Sequence, residues 1–266
     1  MSKKVLAAIL MVGLVPLVCA QSRFDGTWKY DLSTIQWIGH GEGHGEMLLH
    51  DGLYDCQRCD PPMKVKADGT DQKLNGNVTR DGMSVDAVNA KVADDRNLEV
   101  TYKKDGKIVR VEKRAVAADG ATSTLTWTNY GKPDDTPRTG TLTFKRVAQG
   151  PAGTHLVNGQ WRAVKLEGEA PIQSYRVTGN KVEMRTPKGD WYVAILDGPK
   201  ARYQGDSQVD SVSVKMLNEN TLQEQMTKKD KVVFVNTLTL AADGQSVEIA
   251  TKSTEGPDVK IVARKQ

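Results

Sequence analysis

NLEVTYKKDGKIVRVEKRAVAADG, residues 97–120, returns in altered form as TLQEQMTKKDKVVFVNTLTLAADG, residues 221–244, 124 positions further on. The match extends both ways in the same order. Asp68-Gly69 corresponds to Asp197-Gly198 at an offset of 129. Phe24-Asp25-Gly26-Thr27-Trp28-Lys29 corresponds to Val157-Asn158-Gly159-Gln160-Trp161-Arg162 at an offset of 133. Near the ends, Phe144-Lys145-Arg146 lies against Val262-Ala263-Arg264. The chain is therefore read as two copies of one unit. The boundaries are a first unit over 21–148, a linker over 149–154 rich in small residues and proline, and a second unit over 155–266.

Within each copy, short β-branched runs alternate with Asp-Gly or Asn-Gly dipeptides, among them Asp51-Gly52, Asn75-Gly76, Asp81-Gly82 and Asp105-Gly106. Such pairs accept the positive φ angles of tight hairpin turns. No stretch of ten or more residues shows a 3.6-residue apolar period. The class expected is all-β, as a sandwich or an up-and-down barrel. With 38% hydrophobic and 26% charged residues, the 266-residue chain is globular and not disordered. Its formal charge of +4 becomes 35 − 33 = +2 without Lys3 and Lys4, which leaves no electrostatic footprint for nucleic acid.

Those two lysines open a segment with the layout of a secretory signal peptide. An apolar run from Val5 to Val18 follows them, and then Val18-Cys19-Ala20. Cleavage is expected after Ala20, and export to the periplasm or beyond. The run is too short for a transmembrane anchor, and no other stretch would span a bilayer. A lipoprotein acylated on Cys19 is the alternative, against which Val18 precedes the cysteine. Cleavage leaves Cys56 and Cys59, an even number suited to an oxidising compartment.

Each copy opens on Gly-x-Trp (Gly26-x-Trp28, Gly159-x-Trp161) and ends on a basic residue (Arg146, Arg264). This pairing resembles the lipocalin, or calycin, signature, and the resemblance covers nearly the whole mature chain. It implies two tandem antiparallel up-and-down lipocalin-like barrels. Trp28 would plug the first beneath Arg146 and Trp161 the second beneath Arg264, each in a cation–π contact. The chain is also similar to a group of exported bacterial lipocalin-like proteins with a Tyr-x-Cys-x-x-Cys-x-Pro-Pro segment, here Tyr54 to Pro62.

Candidate chemistry gathers in the first copy. His40, His44 and His50 precede Cys56 and Cys59, a set that could hold Zn or Cu, although the glycine-rich setting favours a solvated loop. Cys56-x-x-Cys59 lacks the histidine of a c-type haem site and the helix of a thioredoxin-like pair, so a small disulfide is expected. Arg110, Glu112 and Arg114 share one side of a strand whose other side carries Val109 and Val111. Alternation favours charges outward; inward, they would suit an anionic ligand. Nucleophile elbow, zincin, P-loop and dinucleotide signatures are missing. The reading is a non-enzymatic binder of a small lipophilic or amphipathic molecule, without cofactor. Alternatives are a filled structural protein of the envelope and a metal protein built on the His40–Cys59 segment.

Overall fold

The computed structural model describes residues 22–38, 44–46, 48–57, 59–81, 83–130, 136–205, 208–254 and 256–266, with backbone alone at 44–46 and 77. Every regular element among them is a strand. In chain order these are β1 (Gly26–Ile38), β2 (His44–Glu46), β3 (Leu49–His50), β4 (Leu53–Cys56), β5 (Cys59–Asp60) and β6 (Met63–Lys66). Seven longer strands follow: β7 (Asp68–Arg80), β8 (Met83–Val92), β9 (Asn97–Lys104), β10 (Lys107–Val116), β11 (Thr122–Asn129), β12 (Arg138–Gln149) and β13 (Gly159–Gly168). The last nine are β14 (Ile172–Thr178), β15 (Lys181–Arg185), β16 (Trp191–Ile195), β17 (Ala201–Gln204), β18 (Ser211–Asn218), β19 (Thr221–Lys228), β20 (Lys231–Leu240), β21 (Ser246–Ser253) and β22 (Asp258–Lys265).

Hairpin chemistry works as expected at most turns. Asp105 and Gly106 between β9 and β10 have φ of 50° and 75°, the positive pair that a two-residue turn requires. The second copy makes the same turn with Lys229 and Asp230, at 47° and 63°. Asp68-Gly69 and Asn75-Gly76 depart from the expectation. Both lie inside β7, where its register with β8 shifts between Asp68 and Asp71 and between Lys73 and Val78. They bend the strand and do not end it.

The pairing of strands crosses the repeats. The first sheet runs β2-β13-β12-β11-β10-β9-β8-β7-β5 and curls into a half-barrel, while β1 and β14 to β22 close a ten-stranded antiparallel barrel. The opening strand of each copy thus belongs to the other copy's sheet. β13 lies against β12, with Arg146 opposite Trp161. β1 lies between β14 and β22, with Trp28 opposite Gln173 on one side and Lys265 on the other. The 149–154 segment therefore opens a loop joining two neighbours of one sheet, and the chain passes to the closed barrel only at 169–171. The first unit is an insertion between β1 and β14. The fold is all-β with barrel-like units, compatible with a lipocalin-like architecture.

This exchange corrects the assignment of the tryptophans. Trp161 is buried with Val88, Tyr102 and Phe144 of the first sheet. Trp28 is buried with Met184, Tyr192 and Leu222 of the closed barrel. Arg146 lies 3.9 Å from the Trp161 ring, whereas the cation over Trp28 is Lys265, at 5.3 Å. Arg264 points outward to Asp31 at 3.3 Å. In both copies the indole N–H donates four residues back, from Trp28 to the Phe24 carbonyl at 3.0 Å and from Trp161 to the Val157 carbonyl at 2.9 Å.

The glycine of Gly-x-Trp gains a physical reason here. Gly159 has φ of +118°, and a Cβ on it would stand 2.6 Å from the Ala148 carbonyl oxygen and 2.9 Å from Arg146 Nη1. The missing side chain is the space through which the guanidinium reaches the indole. Arg146 Nη1 also donates to the Asn158 carbonyl at 2.9 Å, and Nη2 to the Leu156 carbonyl at 2.7 Å. Gly159→Ala is expected to cost about 1–3 kcal/mol through strain and displacement of Arg146. Urea titration reads this directly, and an unchanged midpoint would contradict it.

Candidate functional site: a charged cluster inside the first sheet

β10 turns its charges inward, opposite to the orientation that alternation favoured. Arg110 is 3% exposed, Glu112 5% and Arg114 8%. Val109 and Val111 lie on the other face, half-buried. Apolar residues occupy both sides of this strand, so its period of two sets which residues share a face but not which face is the interior.

A second strand answers those charges. Arg80 ends β7 on the same face as Val78, two residues earlier, and is equally buried. β7 and β10 are separated by two strands in the sheet, and curvature brings their side chains together. Glu112 Oε1 accepts from Arg110 Nε at 2.6 Å and pairs with Arg80 Nη2 at 2.8 Å. Asp81 completes a ring, its two oxygens meeting Arg80 Nη1 at 3.0 Å and Arg110 Nη2 at 2.9 Å. Arg110 Nη1 donates further to Asn129 Oδ1 at 2.7 Å. Burial is the largest single influence on Arg80 and would lower its pKa, but Glu112, Tyr102, Asp81 and Tyr54 together outweigh it and the pKa is raised. The guanidinium stays charged.

The meander β3-β4-β6 packs against the first sheet, with Leu49, Tyr54 and Val65 buried in one cluster with Val88, Val100 and Tyr102. Asn158 holds its first strand by a two-way amide bond, accepting from Leu49 N at 2.9 Å and donating to the Leu49 carbonyl at 2.6 Å. At the other end, the sulfurs of Cys56 and Cys59 are 2.14 Å apart, at disulfide distance, tying β4 to β5. β5 in turn places Cys59 opposite Arg80 in register. The Tyr54 hydroxyl, from β4, lies 3.0 Å from that of Tyr102. Burial first, and the Glu112 carboxylate second, push the Tyr102 hydroxyl well above its usual range, so it remains a protonated hydroxyl.

Between meander and sheet lies a cavity of about 60 Å³. Arg80, Glu112 and Tyr54 contribute polar groups; Leu98, Val100, Leu125 and Phe144 form an apolar wall. Arg114 enters beside the aromatic rings, 5.0 Å from Phe144 and 5.6 Å from Trp161. A wider surface hollow of about 470 Å³ lies outside, between the β3–β4 turn and the loop carrying His155. It is open to solvent, and both ring nitrogens of His155 are engaged: Nε2 lies 2.6 Å from the Asp94 carbonyl, and Nδ1 accepts from Val157 N at 3.1 Å. The inner cavity is the better site.

Of the metal candidates, His40 lies outside the described residues, as do residues 1–21 with the expected signal peptide, and of His44 only the backbone is described. His50 faces Asp51 at 3.7 Å and Asp55 at 3.6 Å. Cys56 and Cys59, joined to each other, offer no thiolate. Sequence reasoning found the β10 charges and the cysteine pair but missed Arg80, Asp81 and the Tyr54–Tyr102 contact. The signal available for Arg80 was alternation with Val78 ahead of a turn. Comparison of the chain with known protein families, with characterised proteins and with solved structures finds no match.

Proposed function

We propose that the protein is an exported, non-enzymatic, lipocalin-like binder that holds a small amphipathic molecule inside its first sheet. One observation carries this reading: a 60 Å³ cavity sets an apolar wall against a fixed, buried ionic cluster. Pockets that orient a ligand pair apolar lining with a few placed polar groups. Export is supported by the basic, apolar and small-residue layout of residues 1–20 and by a cysteine pair at bonding distance. No helix among the described residues is long and apolar enough to cross a membrane.

A scaffold role for the closed barrel is favoured by its own interior. Glu224 is fully buried there and accepts from Tyr175 at 2.7 Å, Tyr192 at 2.5 Å and Asn236 at 3.1 Å. These donors hold the carboxylate inside a barrel whose interior also carries the buried Trp28, Met184 and Leu238.

Native mass spectrometry of the intact protein, isolated under non-denaturing conditions from the exported fraction, tests the reading. The expected result is a chain beginning at Gln21 with a small bound molecule, lost in Leu125→Phe, which fills the cavity wall. A ligand-free protein that no small amphiphile stabilises against heat would reject it in favour of the structural role.

A further inference from the structure

We infer that the ligand of this cavity is a short-chain monocarboxylate, whose carboxylate accepts from Arg80 and whose hydrocarbon tail lies against Leu98, Val100, Leu125 and Phe144. The inference rests on the binding role proposed above and narrows it to a chemical class.

The first support is an unanswered donor. Arg80 lines the cavity with a side chain 6% exposed; its Nη1 is taken by Asp81 and its Nη2 by Glu112. Its Nε is buried with no partner among the described residues. Leaving a buried N–H of a charged group unsatisfied costs about 1–3 kcal/mol or more, so native structures supply an acceptor. Cys56 and Gln57, which close the cavity from the meander, bring no carboxylate to that atom. Asp55, the acidic residue of that wall, already pairs with Lys64 at 3.2 Å. A ligand oxygen can fill the role.

Size supplies the second support. On the same measure a water molecule needs about 10–15 Å³, so about 60 Å³ holds roughly four to six heavy atoms. Acetate, propionate and butyrate have four, five and six. A fatty acid with a long chain does not fit. Charge and polarity supply the third. The cluster suits a single negative charge, because Glu112 and Asp81 already neutralise much of the arginine pair. A doubly charged oxyanion would meet the Glu112 carboxylate and leave the apolar wall unused. A monocarboxylate with a short tail satisfies both ends at once.

Calorimetric titration of the mature, disulfide-bonded protein with butyrate, butyramide, decanoate and phosphate tests this. Butyramide keeps the size and removes the charge. Charge-assisted hydrogen bonds are worth about 1.5–3 kcal/mol, so butyrate should bind at least about tenfold tighter than butyramide. Decanoate and phosphate should bind at least tenfold more weakly than butyrate. Arg80→Gln should abolish the preference for butyrate over butyramide. Because Arg80 also holds Glu112, Leu125→Phe provides a second variant that leaves the ionic ring untouched and should weaken butyrate at least tenfold. Equal binding of butyrate and butyramide, or tighter binding of decanoate, would overturn the monocarboxylate inference while leaving an amphiphile site in place. Binding unaffected by Leu125→Phe would place the ligand elsewhere and overturn it too. No binding by any of the four, with a ligand-free native mass, would remove both this inference and the binding role beneath it.

Discussion

Trp161→Ala is expected to unfold the sheet built from the first repeat, not the one that follows Trp161 in the chain. Trp161 is 1% exposed and packs among residues of β8, β9 and β12. Removing a buried indole costs about 3–5 kcal/mol. Trp28→Ala should cost the closed barrel a similar amount, since Trp28 packs among residues of β15, β16 and β19. Hydrogen exchange resolved by segment separates the two. Protection should fall over residues 83–129 in the first variant and over 182–249 in the second. The reverse pattern would mean that the opening strands are not exchanged. A consequence for proteolysis follows from the same topology. A cut in the 150–158 loop should leave two fragments that co-elute under native conditions, because each carries a strand of the other's sheet.

Glu112→Ala should destabilise the first sheet by about 3–5 kcal/mol. The carboxylate is 5% exposed and one of its oxygens serves both Arg80 and Arg110. Its loss leaves two buried guanidinium groups with only Asp81, 39% exposed at its side chain, between them. The desolvation cost of the arginines remains while most of its compensation disappears. Replacing Arg80, Arg110 and Glu112 together by Met, Met and Leu should be far milder, because whole buried ion clusters often exchange for apolar residues at little cost. Urea unfolding monitored by circular dichroism measures both. A loss below about 1 kcal/mol in Glu112→Ala would mean that water reaches the cluster and shields it.

Much of the fold was legible from local chemistry. The Asp-Gly pairs mark hairpins because their φ angles are positive, and the duplicate turn at Lys229-Asp230 is found by alignment with Asp105-Gly106, not by composition. The cysteine pair at bonding distance was expected from its spacing and from the missing haem and thioredoxin features around it. The candidate site was half legible. Arg110, Glu112 and Arg114 were recognised as one face of one strand, but Arg80 comes from a strand three positions away in the sheet. No periodicity within β10 announces a partner that curvature supplies.

By itself the sequence determined the strand class, most of the turn positions and the indole bonds of the Gly-x-Trp segments, since each rests on interactions within a few residues. Only the tertiary structure decided which socket each tryptophan enters and which face of β10 is interior. The two copies present the same indole, the same glycine and a basic side chain at the same place, so either pairing satisfies the local rules. Loop closure separates them. β12 and β13 are joined by nine residues, 150–158, and closing so short a loop costs about 2 kcal/mol less than closing one of roughly a hundred residues. β13 therefore pairs with the strand just before it, and β1 is left to complete the barrel at the far end of the chain.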